Sequence, residues 1–192
     1  MFDVLIVDGS NWWNMFRALG NPFLSCDPVF LSQLEGRLSW ILGREVRFSE
    51  RIWVSNRVNR HRSNTQWLIG KVFPRLTNAG WLLRFPHNVF GGQPDDDAFV
   101  QWMLWEYAEQ LPEGSLLGLG SGDGDFEETL RDIKSTYPDL ELAVITTSYG
   151  YFRANLSLKS LPGVHFVDLL SLPYFSHLLS GSRRSFKVPA AP

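Results

Sequence analysis

The sequence predicts an α/β protein, a three-layer sandwich in which helices cover both faces of a central, mainly parallel sheet. Three observations carry that expectation. Short runs of branched and aromatic residues recur, each closed by Gly, Asn, Asp, Ser or Thr, as buried parallel strands read. Stretches with apolar residues at helical spacing lie between them. The two patterns alternate along the chain, as strands joined by crossover helices do.

The first strand is read at Val4, Leu5, Ile6 and Val7, ending at Asp8-Gly9. Residues 21–28, with Pro22 and Pro28, read as a loop. A helix follows over 28–42, with Val29, Phe30, Leu31, Leu34, Leu38 and Ile41 near a 3.6-residue period. The second strand is Arg51 to Val54, closed by Ser55-Asn56. A second helix spans 65–79 with a break expected at Pro74. Residues 81–85 form a short strand, edge or fifth in the sheet. The clearest helix is 97–110, striped by Phe99, Val100, Met103, Leu104 and Tyr107. Leu116 to Leu119 is the third main strand, 126–135 a helix, and 140–145 the fourth main strand. Val164 to Val167 closes the set. Residues 1–179 read as one domain, and 180–192 as a flexible tail.

The composition suits a folded domain with a sizeable core, since hydrophobic residues make up 44% and charged residues 20%. A single cysteine, Cys26, allows no internal disulfide and no cysteine-based zinc site. It fits a reducing, cytoplasmic setting. The start, Met1-Phe2-Asp3-Val4, lacks a cationic leader, and no uncharged apolar run reaches membrane-spanning length. A net charge of -2 conceals an uneven distribution. Nine cationic side chains lie from Arg44 to Arg84 against two acids, and thirteen acids lie from Asp95 to Glu141 against two bases. Such a surface would draw a phosphate backbone to one part and divalent cations to another.

Three acidic clusters stand where strands or loops meet helix starts. They are Asp8-Gly9-Ser10-Asn11, Asp95-Asp96-Asp97 and Ser121-Gly122-Asp123-Gly124-Asp125-Phe126. Strand C-termini of an open parallel sheet share one edge, and ligands bind there, so Asp8 and Asp123 should converge. Crowded carboxylates repel unless a cation neutralises them. Oxygen-only donors select a hard ion, Mg²⁺ or Mn²⁺, which suits phosphate chemistry. Each cluster also has a plainer use. Asp-Gly is a common turn pair, and a helix start favours aspartate as its cap. Of the middle three, one is expected as cap, one exposed and one or two as ligands. Gly118, Gly120 and Gly122 hint at a dinucleotide loop, but position 123 is aspartate where that fingerprint needs glycine. Most of the eight tryptophans read as core; Trp12 and Trp13, next to Asp8, are the two placed to stack on bases. His87 and His165 read as structural.

Taken together, these motifs resemble the NYN family, a branch of the PIN-like nucleases. The opening strand with Asp8-Gly9-Ser10-Asn11 is similar to that family's Asp-Gly-x-Asn motif. Ser121-Gly122-Asp123-Gly124-Asp125-Phe126 is similar to its Ser-Gly-Asp-x-Asp-Phe motif. The order of elements between and beyond them extends the resemblance over residues 3–170, through Phe166-Val167-Asp168-Leu169. The chain departs from the family at the middle cluster. The usual Lys-Gly-x-Asp is Gln93-Pro94-Asp95-Asp96-Asp97 here, and Gln101 or Trp102 stands where a further aspartate is usual.

The resemblance implies a PIN-like, Rossmann-like fold and a metal-dependent endoribonuclease leaving 5′-phosphate and 3′-hydroxyl ends. It implies Asp8, Asp97, Asp123 and Asp125 as metal ligands, direct or through water, with Asp96 the second choice in the middle cluster. Asn11, Ser10 and Ser121 would orient ligands or the scissile phosphate. Arg57, Arg60, Arg62 and Lys71 would bind the backbone of an RNA substrate, single-stranded or structured, with DNA as a second candidate. Two other readings fit the residues: a catalytically weakened RNA-binding scaffold, and a phosphohydrolase of small phosphoesters.

Overall fold

The computed structural model describes residues 1–55, 68–86, 95–147 and 156–176. It is an α/β structure around one six-stranded sheet. The strands are β1 (Asp3–Asp8), β2 (Phe48–Val54), β3 (Leu82–Arg84), β4 (Leu116–Gly120), β5 (Glu141–Thr146) and β6 (Val164–Asp168). Their order is β3-β2-β1-β4-β5-β6, and every described pairing is parallel. The helices are α1 (Gly9–Ala18), α2 (Pro28–Leu42), α3 (Phe73–Asn78), α4 (Asp96–Gln110), α5 (Glu127–Thr136) and α6 (Leu156–Lys159).

Crossovers of one handedness put the helices after β1 and β2 on one face, and those after β3, β4 and β5 on the other. The packing follows that division. Trp12, Phe16, Phe30, Leu34, Phe73 and Leu76, from α1 to α3, cover one face together with Leu5, Val7 and Ile145 of the sheet. Phe99, Val100, Leu104, Leu130, Ile133 and Leu158, from α4 to α6, cover the other with Val4, Ile6, Leu119 and Val144. Both faces of the central strands are therefore buried, which is why β1 and β4 read as unbroken apolar runs. No helix among the described residues is long and apolar enough to cross a membrane.

Most expected elements fall in place. α2 has the expected bounds, capped by the Asp27 carboxylate accepting from the Val29 amide and ended by Gly43 at φ 64. The helix expected over 65–79 is a wide turn, Leu68–Val72, followed by α3 with Pro74 in its first turn. Residues 65–67 lie outside the described ones, as do 177–192 with the expected tail. The loop over 21–28 contains one tight helical turn, Leu24–Cys26. β2 starts three residues early, at Phe48, because the chain pairs with Asp3 through a register shift before Val4. The helix α1 is the element that sequence pattern did not anticipate.

Two expectations for the glycines and tryptophans need correction. Gly9 is not a turn residue. A Cβ there would lie 2.1 Å from Trp53 Nε1 and 2.3 Å from the Val54 carbonyl oxygen, so glycine lets α1 start directly against β2. Gly120 admits a tryptophan rather than a phosphate: a Cβ would lie 2.6 Å from the Trp12 ring. Trp12 is fully buried, and its indole N–H donates to the Ile145 carbonyl at 3.2 Å. It packs edge-on to Trp81, which packs likewise on Trp53. It cannot stack on a base. Trp13, half-buried, meets the Phe23 ring edge-on.

Candidate metal centre

The strand order turns back between β1 and β4. At such a switch point the flanking crossovers leave on opposite faces and open a crevice beyond the strand ends. Asp8 ends β1, and Ser121 directly follows β4. Chain segments separated by more than a hundred residues thus meet, and the Ser121 hydroxyl donates to Asp8 Oδ2 at 3.2 Å. Asn11, in the first turn of α1, closes a second link by accepting from the Gly122 amide at 3.4 Å. The third segment arrives with α4, which packs on β1 and brings Asp96 and Asp97 on its first turn.

Each acidic segment first does the plain job of ending a loop and starting a helix. Asp8 accepts from the Asn11 amide at 3.1 Å, Asp95 from the Asp97 amide at 3.1 Å, and Asp123 from the Asp125 amide at 3.2 Å. Capping engages one oxygen of each carboxylate, and the second oxygen of Asp8 accepts from Ser121. Helix N-termini also carry partial positive charge, which lowers the cost of gathering acids there.

Carboxylate oxygens of Asp97, Asp123 and Asp125 lie within 4.8 Å of one another. Asp97 and Asp123 are partly buried, and Asp125 is exposed. Gln101, one turn beyond Asp97, donates its side-chain amide to the Asp125 carbonyl at 3.0 Å and ties α4 to that loop. Asp8 adjoins the trio. It is 6% exposed, and both of its oxygens accept hydrogen bonds from the protein. Asp96 presents Oδ2 to the Ser10 hydroxyl at 3.5 Å, while its Oδ1 is buried with no hydrogen-bond partner.

The electrostatics follow from this crowding. Burial pushes the Asp97 carboxyl up to about 6, with the charges of Asp8, Asp123, Asp95 and Asp125 adding to the effect. Burial likewise raises Asp96 to about 6, helped by Asp8, Asp97 and Asp95 and opposed by the Ser10 hydrogen bond. Burial raises Asp8 as well, against the hydrogen bonds from Asn11, Ser121 and Ser10, with Asp123 pushing it further up.

Three carboxylates within a few ångströms, offering only oxygen donors, fit a cation, and the unbonded Oδ1 of Asp96 lies on the same first turn of α4 as Asp97. A cation among the three removes the repulsion. The residues that could hold one are Asp97, Asp123 and Asp125, with Asp8 and Asp96 beside them.

Of the expected site residues, Asp8, Ser10, Asn11, Asp96, Asp97, Ser121, Asp123 and Asp125 are brought together. Asp95 is the exposed cap of the middle three. Arg57, Arg60 and Arg62 lie outside the described residues. Lys71 is exposed on the turn before α3, and no described contact joins it to the carboxylates. Among the described residues, the basic stretch is divided. Arg44 grips Asp3 at 2.8 Å and Arg47 pairs with Glu45, both at the edge where strands begin, opposite the carboxylates. Gln101 was known from the sequence only as a departure from a motif; its helical distance from Asp97 is the signal that places it at the site. No protein-family model matches this chain, and no curated protein matches it.

Proposed function

We propose that this protein is a Mg²⁺- or Mn²⁺-dependent phosphodiester hydrolase that cleaves RNA, as the resemblance to NYN and PIN-like nucleases implies. One observation carries the reading: Asp97 meets Asp123 and Asp125 at the switch point of a parallel sheet, with Asp8 tied to the same loop through Ser121. Hard oxygen donors favour Mg²⁺ or Mn²⁺ over softer metals. When bound, such an ion polarises a phosphoryl oxygen, activates a water and stabilises the leaving 3′ oxygen.

The chain's own residues hold and align. Asp97, Asp123 and Asp125 supply the ligand oxygens. Asp8, fixed by Asn11 and Ser121 beside them, would help to hold the ion, directly or through water. Ser121 also accepts from the Asp123 amide at 3.2 Å, so one hydroxyl aligns both carboxylates. Ser10 and Asn11, in the first turn of α1 beside Asp8, would orient the scissile phosphate. In-line attack by water would leave a 5′-phosphate and a 3′-hydroxyl.

A second reading, hydrolysis of small phosphoesters, is favoured by the pairing of Arg44 and Arg47 at the far edge of the sheet, which leaves fewer cations for a long strand. Incubation of purified protein with labelled single-stranded RNA, single-stranded DNA and a small phosphoester separates the two, in Mg²⁺, Mn²⁺ or chelator. RNA cleavage that stops with chelator and with Asp123→Asn is expected. Cleavage that persists in chelator refutes the metal reading, and turnover of the small ester alone refutes the nuclease.

A further inference from the structure

The strand register sets more than the carboxylates in line. Asp8 of β1 is level with Val54 of β2, and Val54 is level with Arg84 of β3. Side chains at alternate strand positions share a face. Val4 and Ile6 place Asp8 on the α4 face, Ile52 places Val54 there, and Leu83, packed on the opposite core, leaves Arg84 on the α4 face too. The three side chains form one row across the strand ends. With strands about 4.8 Å apart, Arg84 starts about 10 Å from Asp8.

Arg84 also differs from its cationic neighbours in what it touches. Arg44 is bound to Asp3 and Arg47 to Glu45. Arg51 donates to the Ala79 carbonyl at 2.7 Å and lies over the Trp81 ring. Arg75 stacks on Phe23 at 4.0 Å. Arg84 is exposed and, among the described residues, forms no ion pair; its guanidinium donates to the Leu83 carbonyl at 3.2 Å. Glu50, on the same face of β2, already accepts from the Tyr107 hydroxyl at 2.5 Å. A solvated guanidinium fork, level with a metal-binding crevice and on the same face, suits a phosphate of an extended strand.

We propose that Arg84 binds a phosphate of the RNA strand adjoining the scissile one, and so sets how the strand crosses the sheet edge. The proposal rests on the nuclease reading and assigns the direction of its substrate: from the carboxylates across β1 and β2 toward β3. A phosphate contact of this kind releases counterions, so its loss changes how binding responds to salt.

The test is fluorescence anisotropy of a short labelled single-stranded RNA over a salt series. Ca²⁺ replaces Mg²⁺, and strand integrity is checked on a gel. Arg84→Ala should weaken binding about three- to tenfold and reduce the slope of log K against log salt by about 0.7. Arg84→Lys should keep the slope and recover part of the affinity, since the charge stays and the fork is lost. Unchanged slope and affinity in Arg84→Ala, with wild-type cleavage intact, overturn the proposal and leave the nuclease reading standing. Wild-type protein that shows no salt-dependent RNA binding and no cleavage overturns both.

Discussion

Replacing Asp97 by asparagine separates a metal-binding cluster from a merely acidic surface. Without metal, burial, and after it the neighbouring acids, raise the Asp97 carboxyl from 3.8 to about 6. Near neutral pH, a shift of about two units corresponds to about 3 kcal/mol of unfavourable charge if the group were fully enclosed, at about 1.4 kcal/mol per unit. Asp97 is only partly buried, and solvent screening reduces this to about 1 kcal/mol. Asparagine keeps the shape and removes the charge. The metal-free Asp97→Asn protein should therefore be the more stable one, melting about 3 °C higher for a domain of this size. The order reverses on adding Mn²⁺. Wild-type protein should gain about 2.7 kcal/mol, or about 8 °C, with metal at a hundredfold over its dissociation constant. The variant, lacking one of three ligands, should gain little. Thermal melts of chelator-treated protein over a Mn²⁺ titration measure both effects. A variant that melts lower than wild type without metal, or that rises equally with it, refutes the assignment.

Four further outcomes follow from the geometry. Asp96 and Asp97 both hold protons more tightly folded than unfolded, so their contribution to stability is complete below about pH 4 and lost as pH rises through about 6. Metal-free wild type should lose melting temperature across that window relative to an Asp96→Asn, Asp97→Asn double variant, and parallel curves would count against the crowding. Ser121→Ala should reduce metal affinity about tenfold or more by freeing Asp8 and the Asp123 loop, read by calorimetric titration; an unchanged affinity would remove Ser121 from the site. Asp3→Ala should cost about 3–5 kcal/mol in urea unfolding, because it strands Arg44 and the Leu116 amide at the opposite edge; a loss below 1 kcal/mol on the same scale would contradict that network. Gly9→Ala should destabilise by about 2–3 kcal/mol by driving a methyl group into Trp53 and the Val54 carbonyl, and wild-type stability in the same unfolding experiment would mean α1 does not start so close to β2.

The sheet was legible because its central strands are buried on both faces, and such strands leave an unmixed apolar run in the sequence. α2 was legible for a different reason: Phe30, Leu31, Leu34 and Leu38 repeat at helical spacing behind an Asp-Pro start. α1 carries the same kind of signal, with Trp12 and Phe16 one turn apart. Ser10, Asn11 and Asn14, residues that favour caps and turns, obscured it. The tryptophan beside Asp8 was misplaced as a consequence, since a helical start turns Trp12 inward over Gly120. The carboxylates were legible as a group because strand ends share an edge, but which oxygen caps and which is free depends on side-chain geometry that spacing does not contain. Charge counted along the chain does not show where Arg44 and Arg47 lie. β2 carries the chain across the molecule, about 20 Å for its seven residues. Arg44 and Arg47, before it, therefore lie at the end away from the carboxylates.

The bond between Ser121 and Asp8 joins residues 113 apart in the chain. β1 completes one side of its pairing with β2 early, yet its other side waits for β4. A nascent chain that has left the ribosome only as far as β3 has half of the crevice wall and one of its acids. Closing so long a loop is slow and comes late in folding. The gathering of Asp8 with Asp97, Asp123 and Asp125 is thus withheld until the second half has been made, and a product truncated after β3 would carry Asp8 alone of these four acids.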